Sequence, residues 1–195
     1  MSEVPNLLHS VAAAHLVVVR PMNVAEAQRE VRTIYVGGFY GQLVSGAIWL
    51  ASTALTTWVS QRAGILALVF GGMFIFPFTQ LMLRASGRSA SLAPDNPLRE
   101  LAMEIAFLVP LLLPLVGAAT LHKVAWFYPA MMIVVGAHYL PFSFLYGMRQ
   151  FIPLSGLLLF AGLLLGLYAP GMAVWGGWLT SLLLVAFAFI GRAVA

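Results

Sequence analysis

The chain has 195 residues, of which 62% are hydrophobic and 8% are charged. Soluble domains average about 45–50% apolar and about 25% charged residues, so one soluble core of this size could not bury the excess apolar side chains. The composition therefore excludes a soluble protein and indicates that the excess apolar side chains contact a partner, the lipid bilayer. The absence of cysteine excludes disulfides, thiolate catalysis and iron–sulfur sites. Basic residues stand singly beside apolar segments, which is typical of membrane flanks and not of nucleic-acid binding.

The first 32 residues predict a segment that lies at the membrane surface. Residues 7–19 are apolar, but a transmembrane helix needs about 20 residues, so this run is too short to span. After Pro21, Asn23 and Glu26 have the spacing of a capping box, which marks a helix start. The next residues place apolar and charged side chains on opposite faces. We assign residues 1–32 to an N-terminal interfacial, amphipathic segment, whose helix could also be the first turns of a longer helix entering the membrane.

Six apolar segments follow, and each is close to the length needed to cross a bilayer as a helix. They cover residues 33–59, 63–83, 97–119, 124–148, 152–168 and 172–190. Long apolar runs without strict alternation favour helices over a β-barrel. Residues 33–195 are therefore expected to form one all-α domain, a polytopic bundle of six transmembrane helices.

Rows of small residues predict where these helices pack against one another. Gly37, Gly41 and Ser45 recur at intervals of four in the first segment, and Gly162 and Gly166 do so in the fifth. Small side chains let two helix backbones approach closely, so we expect both rows to be buried in the bundle.

Basic residues predict the orientation of the chain. With the N-terminus inside, the cytoplasmic side receives eight of them: Arg20, Arg29, Arg32, Arg84, Arg88, Arg99, Arg149 and Arg192. The opposite side receives Arg62 and Lys123. This bias follows the positive-inside rule and predicts that both termini are cytoplasmic.

Polar side chains within the apolar segments are the candidate binding residues, because a charged group at a helix centre costs at least ~2.5 kcal/mol. At about 1.5 Å of rise per residue, Glu104 and His138 lie roughly 9 and 15 Å inside the cytoplasmic end. The third and fourth segments are antiparallel, so these two side chains could meet. We predict a polar crevice that opens to the cytoplasm and is lined by Gln42, Gln80, Glu100, Glu104, His138 and Tyr139.

A structural interpretation of the same residues stays open. Glu100 could be stabilised by the positive end of its helix, and Glu104 could pair with an arginine. His138 could donate a hydrogen bond to a carbonyl freed by Pro141.

Several chemistries find no support in the sequence. No metalloprotease, paired-cysteine or P-loop pattern occurs, and no serine stands in a nucleophile elbow. The sole lysine, Lys123, lies in a loop, and His138 is the only histidine deep within a segment. We therefore predict no catalytic residue, no metal ligand and no cofactor, and the sequence does not favour an enzyme.

Several motifs resemble a family of small bacterial multi-pass membrane proteins, catalogued as a domain of unknown function. Residues 26–32, 35–38 and 41–49 are similar to the opening of that family, and the His138–Phe142 run also resembles it. The resemblance implies a protein of the bacterial inner membrane with several helices. It implies no activity.

Two functional hypotheses follow. The first is a small transporter or channel-like protein that binds a proton, a cation or a small polar solute in the crevice centred on Glu104 and His138. The alternative is a non-catalytic accessory or structural subunit of a larger membrane complex, or of a homo-oligomer, since the glycine rows favour helix partners.

Overall fold

The computed structural model describes residues 22–88 and 90–195 of the chain. This part of the protein forms nine α-helices: α1 (Val24–Tyr35), α2 (Phe39–Trp58), α3 (Gln61–Met73), α4 (Ile75–Ala85), α5 (Arg99–His122), α6 (Phe127–Tyr139), α7 (Phe142–Leu145), α8 (Phe151–Tyr168) and α9 (Ala173–Val194). Since no strand occurs in these residues, the all-α prediction is confirmed. The predicted short apolar run 7–19 and Arg20 lie outside the described residues.

The helices have the lengths and composition of membrane spans. Five helical stretches among the described residues are long and apolar enough to cross a bilayer, and α3 with α4 makes a sixth if the pair counts as one bent span. The pair bends by 53° at Phe74. Pro77 explains the bend. Its nitrogen carries no hydrogen to donate to the Met73 carbonyl four residues earlier, and its ring clashes with that carbonyl. The protein is therefore a membrane protein.

Four helices, α2, α6, α8 and α9, form the central bundle. Glycines let them approach closely: an added Cβ at Gly46 of α2 would lie 2.9 Å from Val185 of α9, and one at Gly162 of α8 would lie 2.9 Å from the Pro129 carbonyl oxygen of α6. α3 and α4 pack on the outside of α2, and α5 packs on the outside of α6. Gly162 belongs to the predicted row of the fifth segment and packs as expected, whereas Gly46 lies outside the row predicted for the first segment.

The two ends of the bundle differ in their number of basic residues. At the end that we call the basic end, α2, α5 and α8 begin and α4 and α9 end. It carries seven described arginines, Arg29, Arg32, Arg84, Arg88, Arg99, Arg149 and Arg192. The opposite end, which we call the far end, carries Arg62 and Lys123.

α1 lies at the basic end and is separated from α2 by a sharp break. Asn23 and Glu26 form the predicted capping box at its start. Ala27 and Val31 are fully buried and form its inner face. The break spans Val36, Gly37 and Gly38, whose φ angles are 53°, 62° and 84°. Such angles are ordinary for glycine, but a β-branched residue such as Val36 rarely adopts them.

Candidate functional site

The structure does not bring Glu104 and His138 together. Glu104 is exposed on the outer side of α5, where it lines a surface depression of about 680 Å³ with Glu100, Asp95 and Arg99. Glu100 is exposed there too. Neither carboxylate therefore faces the interior of the central bundle.

His138 is held in place by packing. Its ring contacts the rings of Tyr139 and Phe142, at centroid distances of 5.6 and 4.8 Å. The imidazole also interacts with the main-chain carbonyl of Ile105 on α5. This contact matches the structural interpretation of a bond to a carbonyl, although the carbonyl belongs to a neighbouring helix and not to the turn before Pro141. The buried Nδ1 atom has no hydrogen-bond partner among the described residues.

The other three predicted residues divide between the bundle interior and its side. Gln80 is half-buried on α4, which packs against α2. Gln42 of α2 and Tyr139 of α6 are buried in the central bundle. The hydroxyl of Tyr139 interacts with the side chain of Ser45, one turn along α2 from Gln42. The structure therefore places two of the six predicted residues in one buried region.

This region contains further polar side chains from the start of α8. The Tyr139 ring stacks on Phe151, with centroids 6.1 Å apart and planes 5° apart. Ser155 lies one helical turn beyond Phe151, on the same buried side of α8. We call Gln42, Ser45, Tyr139, Gln150 and Ser155 the basic-end cluster.

Close approach of the backbones positions the two glutamines of the cluster. Gln42 lies one turn from Gly38, whose added Cβ would meet the Phe151 ring at 3.4 Å. Gln150 lies beside Gly191 of α9, whose added Cβ would meet the Gln150 amide nitrogen at 2.5 Å. Gly191 in turn abuts Gly37. Both glutamines therefore lie close to the break between α1 and α2.

Three members of the basic-end cluster have unmet hydrogen-bonding capacity. Gln42 and Ser155 have exposed fractions of 2% and 1%. Both polar atoms of the Gln42 side chain, both of Gln150, and the Ser155 hydroxyl lack a hydrogen-bond partner within the described chain. A buried polar group left unsatisfied costs about 1–3 kcal/mol. The three side chains therefore keep hydrogen-bonding capacity that the described residues do not use.

A second buried polar group, near the far end, is fully paired. We call Ser52, Thr56 and Tyr128 the far-end cluster. The Tyr128 hydroxyl lies 2.9 Å from that of Ser52 and 2.6 Å from that of Thr56. Ser52 donates to the main-chain carbonyl of Gly64 at 2.8 Å. Because a carbonyl only accepts, Tyr128 must donate to Ser52, and Thr56 to Tyr128. The chain of bonds joins α2, α3 and α6.

α1 covers the basic end and is hydrogen-bonded to the loop before α5 and to α7. The Glu30 carboxylate accepts hydrogen bonds from the Ala93 main-chain N–H at 2.8 Å and from the Asn96 amide at 2.7 Å. On its other side, Gln28 donates to the Phe144 carbonyl at 2.6 Å. These bonds hold α1 across the start of the bundle interior.

Sequence reasoning missed Gln150, Ser155 and the role of Glu30. Gln150 stands at the border of a segment, and Ser155 stands in a Leu-rich helix that carries no charged residue. The available signal was a serine on the same helical side as Phe151 and Gly162, since that row identifies the packed face of α8.

These features define a multi-span α-helical membrane protein with an uncharged polar cluster in its central bundle. The chain belongs to a family described as a family of unknown function, DUF7010, which matches residues 24–193. The predicted membership of an uncharacterised family is thereby confirmed. No curated protein and no solved structure matches the chain. The site itself must therefore indicate the function.

Proposed function

We propose that the protein is a small transporter or channel-like protein that binds a small polar solute at the basic-end cluster. One observation carries the proposal: Gln42, Gln150 and Ser155 are placed in the bundle interior without hydrogen-bond partners from the described residues. A membrane interior offers such groups no water, so a native fold keeps them where a ligand or ordered solvent meets them. The hydroxyls of the far-end cluster, by contrast, are all hydrogen-bonded.

The orientation and location of the protein are part of the same proposal. The excess of arginines at the basic end supports a cytoplasmic position for that end, in a bacterial inner membrane. The basic-end cluster then lies in the cytoplasmic half of the bundle, beneath α1. The solute would enter or leave past α1 and the segments to which α1 is hydrogen-bonded.

Stopped-flow light scattering of proteoliposomes tests this function for many candidate solutes in one format. An osmotic step with a panel of small polar solutes reports the permeability to each. We expect protein-dependent permeability to at least one probe, and a loss of it in Gln42→Met. Gln61→Met is the matched control, since it removes the same group from an exposed position at the far end. Equal permeability of all these vesicles and empty ones would refute transport.

Glu104 and His138 remain predicted binding residues that the same vesicles test. If they bind a proton or cation, Glu104→Gln and His138→Ala abolish pH-dependent uptake. If the basic-end cluster is the site, Glu104→Gln leaves flux unchanged, because its side chain is exposed on the outside of α5.

The second candidate function, a subunit of a larger membrane assembly or homo-oligomer, is favoured by the outer face of α5. Glu104 lies in a row of exposed side chains with Phe107 and Leu111. A carboxylate about a turn and a half inside an apolar helix face is poorly placed against lipid, and a partner helix would shield it.

Cysteine cross-linking tests this second candidate cleanly, because the chain has no native cysteine. In native membranes, Leu111→Cys should give a cross-linked species of defined mass if the α5 face is an interface. Leu158→Cys, which is fully buried, is the control and should give none. A monomer at both positions would count against assembly.

A further inference from the structure

We infer that the ligand of the basic-end cluster is a small uncharged molecule that both donates and accepts hydrogen bonds, such as water, a urea-like amide or a short polyol. This inference rests on the proposed function and narrows the substrate class from a proton, cation or polar solute to neutral solutes alone.

The first reason is the hydrogen-bonding character of the open groups. A glutamine side chain has two N–H donors and a carbonyl oxygen that accepts. Both ends of Gln42 and both ends of Gln150 are open, and Ser155 adds a hydroxyl that can serve either way. A ligand that only accepted would leave the amide oxygens unsatisfied, and one that only donated would leave the N–H groups unsatisfied. A molecule with both kinds of group satisfies the cluster.

The second reason is the absence of charge around the cluster. The buried polar side chains of the described chain are amides and hydroxyls, with no carboxylate, ammonium or guanidinium among them. Burying an ion without a counter-charge carries a penalty of several kcal/mol even after relaxation. The Glu30 carboxylate of α1 already accepts hydrogen bonds from Ala93 and Asn96. A charged ligand would therefore be strongly disfavoured.

The ionisable side chains of α5, α6 and α9 have contacts other than the cluster or lie on the surface. Arg192 of α9 places its guanidinium over the Phe39 ring, 4.8 Å from the ring centre. Glu100 and Glu104 of α5 are on the outer surface. His138 faces α5 through the Ile105 carbonyl. The ionisable side chains of α5, α6 and α9 thus leave the interior beside Gln42 neutral.

The third reason concerns size. The cluster is bounded by close packing: Gly136 of α6 would meet the main-chain nitrogen of Leu159 at 3.0 Å if it carried a Cβ, and Gly191 would meet the Gln150 amide at 2.5 Å. The stacked rings of Tyr139 and Phe151 form a further wall. Such close packing favours a compact ligand of a few non-hydrogen atoms over a long or branched one.

The experiment compares neutral and charged probes in the same proteoliposomes. Stopped-flow light scattering measures permeability to water, urea and glycerol. An entrapped pH dye and a membrane-potential dye measure movement of H⁺, Na⁺, K⁺ and NH₄⁺. We expect protein-dependent permeability to at least one neutral probe, reduced about tenfold or more in Gln42→Met and reduced in Ser155→Ala, with no ion signal.

Gln42→Asn provides the rescue variant, because it keeps the carboxamide and shortens the side chain. It should retain part of the permeability that Gln42→Met loses, while size-exclusion profiles confirm that all variants fold. Ion movement abolished by Gln42→Met would overturn the neutral-ligand inference and leave the transport proposal standing. No protein-dependent movement of any probe, neutral or charged, would overturn both. Equal neutral permeability in Gln42→Met and wild type would also overturn the inference.

Discussion

The far-end cluster and the basic-end cluster place similar polar groups on the same helix, α2, with opposite results. At the far end, Tyr128, Ser52 and Thr56 close a chain of hydrogen bonds on a carbonyl of α3. At the basic end, Gln42 lies about three turns earlier on α2 and has no such chain within the described residues. The difference shows that a polar residue in a membrane helix is assigned a role by its partners and not by its type.

Helix packing around the far-end cluster should give the largest response to substitution. Gly64 of α3 abuts the Thr56 side chain, and an added Cβ would lie 2.6 Å from the Ser52 carbonyl oxygen. Gly64→Leu should therefore destabilise the protein by about 3 kcal/mol, because the backbone must shift to admit it. Gly72→Leu in the same helix is the control, since nothing lies within 4 Å of its Cβ position. Unfolding in mixed detergent measures both, and equal losses would contradict the described packing.

Removal of the Tyr128 hydroxyl should lower the stability of the protein, whereas removal of the Gln42 amide should raise it. Tyr128→Phe keeps the ring but breaks the chain of bonds, leaving Ser52 and Thr56 short of a partner. We expect a loss of about 2 kcal/mol in the free energy of unfolding, the usual penalty for such buried groups. Solute permeability should be unaffected. A destabilisation within error of zero would mean that the far-end cluster does not join the helices.

The same kind of substitution at the basic end should have the opposite effect on stability. Gln42→Met keeps the volume and removes two buried polar atoms that lack partners in the described chain. We expect a gain of about 1 kcal/mol, since no hydrogen bond is lost and the desolvation penalty disappears. The same variant should also lose solute permeability, because groups that bind a ligand often lower the stability of the protein. If Gln42→Met were less stable than the wild type, Gln42 would have to make a stabilising hydrogen bond.

The smallest change in stability should come from weakening the hydrogen bonds that hold α1 at the basic end. Glu30→Gln retains one acceptor oxygen but places an N–H₂ group against a donor. Docking of α1 should weaken by about 0.5–1 kcal/mol. Hydrogen–deuterium exchange should rise in α1 and in residues 93–96, and stay constant in α8. Uniform exchange across variants would show that Glu30 does not hold this helix.

The fold was largely readable from the sequence because its signals are local. Apolar run lengths, the capping box at Asn23 and the glycines of α2 and α8 each act within one helix or on its immediate neighbour. The bend at Phe74 could not be predicted in the same way. A proline in a membrane helix permits several outcomes, and α5 continues as one helix through Pro110 and Pro114.

The candidate site was less readable, because it depends on which helix faces which. α5 is apolar on every side, so no periodicity could show that Glu104 turns outward with Phe107 and Leu111. Ser155 sits among leucines, and its missing partner becomes evident only once α6 and α2 are placed around it. Gln42 was found because a side-chain amide deep within an apolar segment is a signal that one helix carries alone.

The contacts of α1 have a consequence for the order in which the protein is made. Gln28 bonds to the Phe144 carbonyl, 116 positions along the chain, and Gly37 abuts Gly191 of α9. Since translation proceeds from the N-terminus, α1 and the start of α2 emerge well before either partner exists. We therefore expect α1 to dock only after α7 and α9 have been made, so that the basic end closes late in assembly.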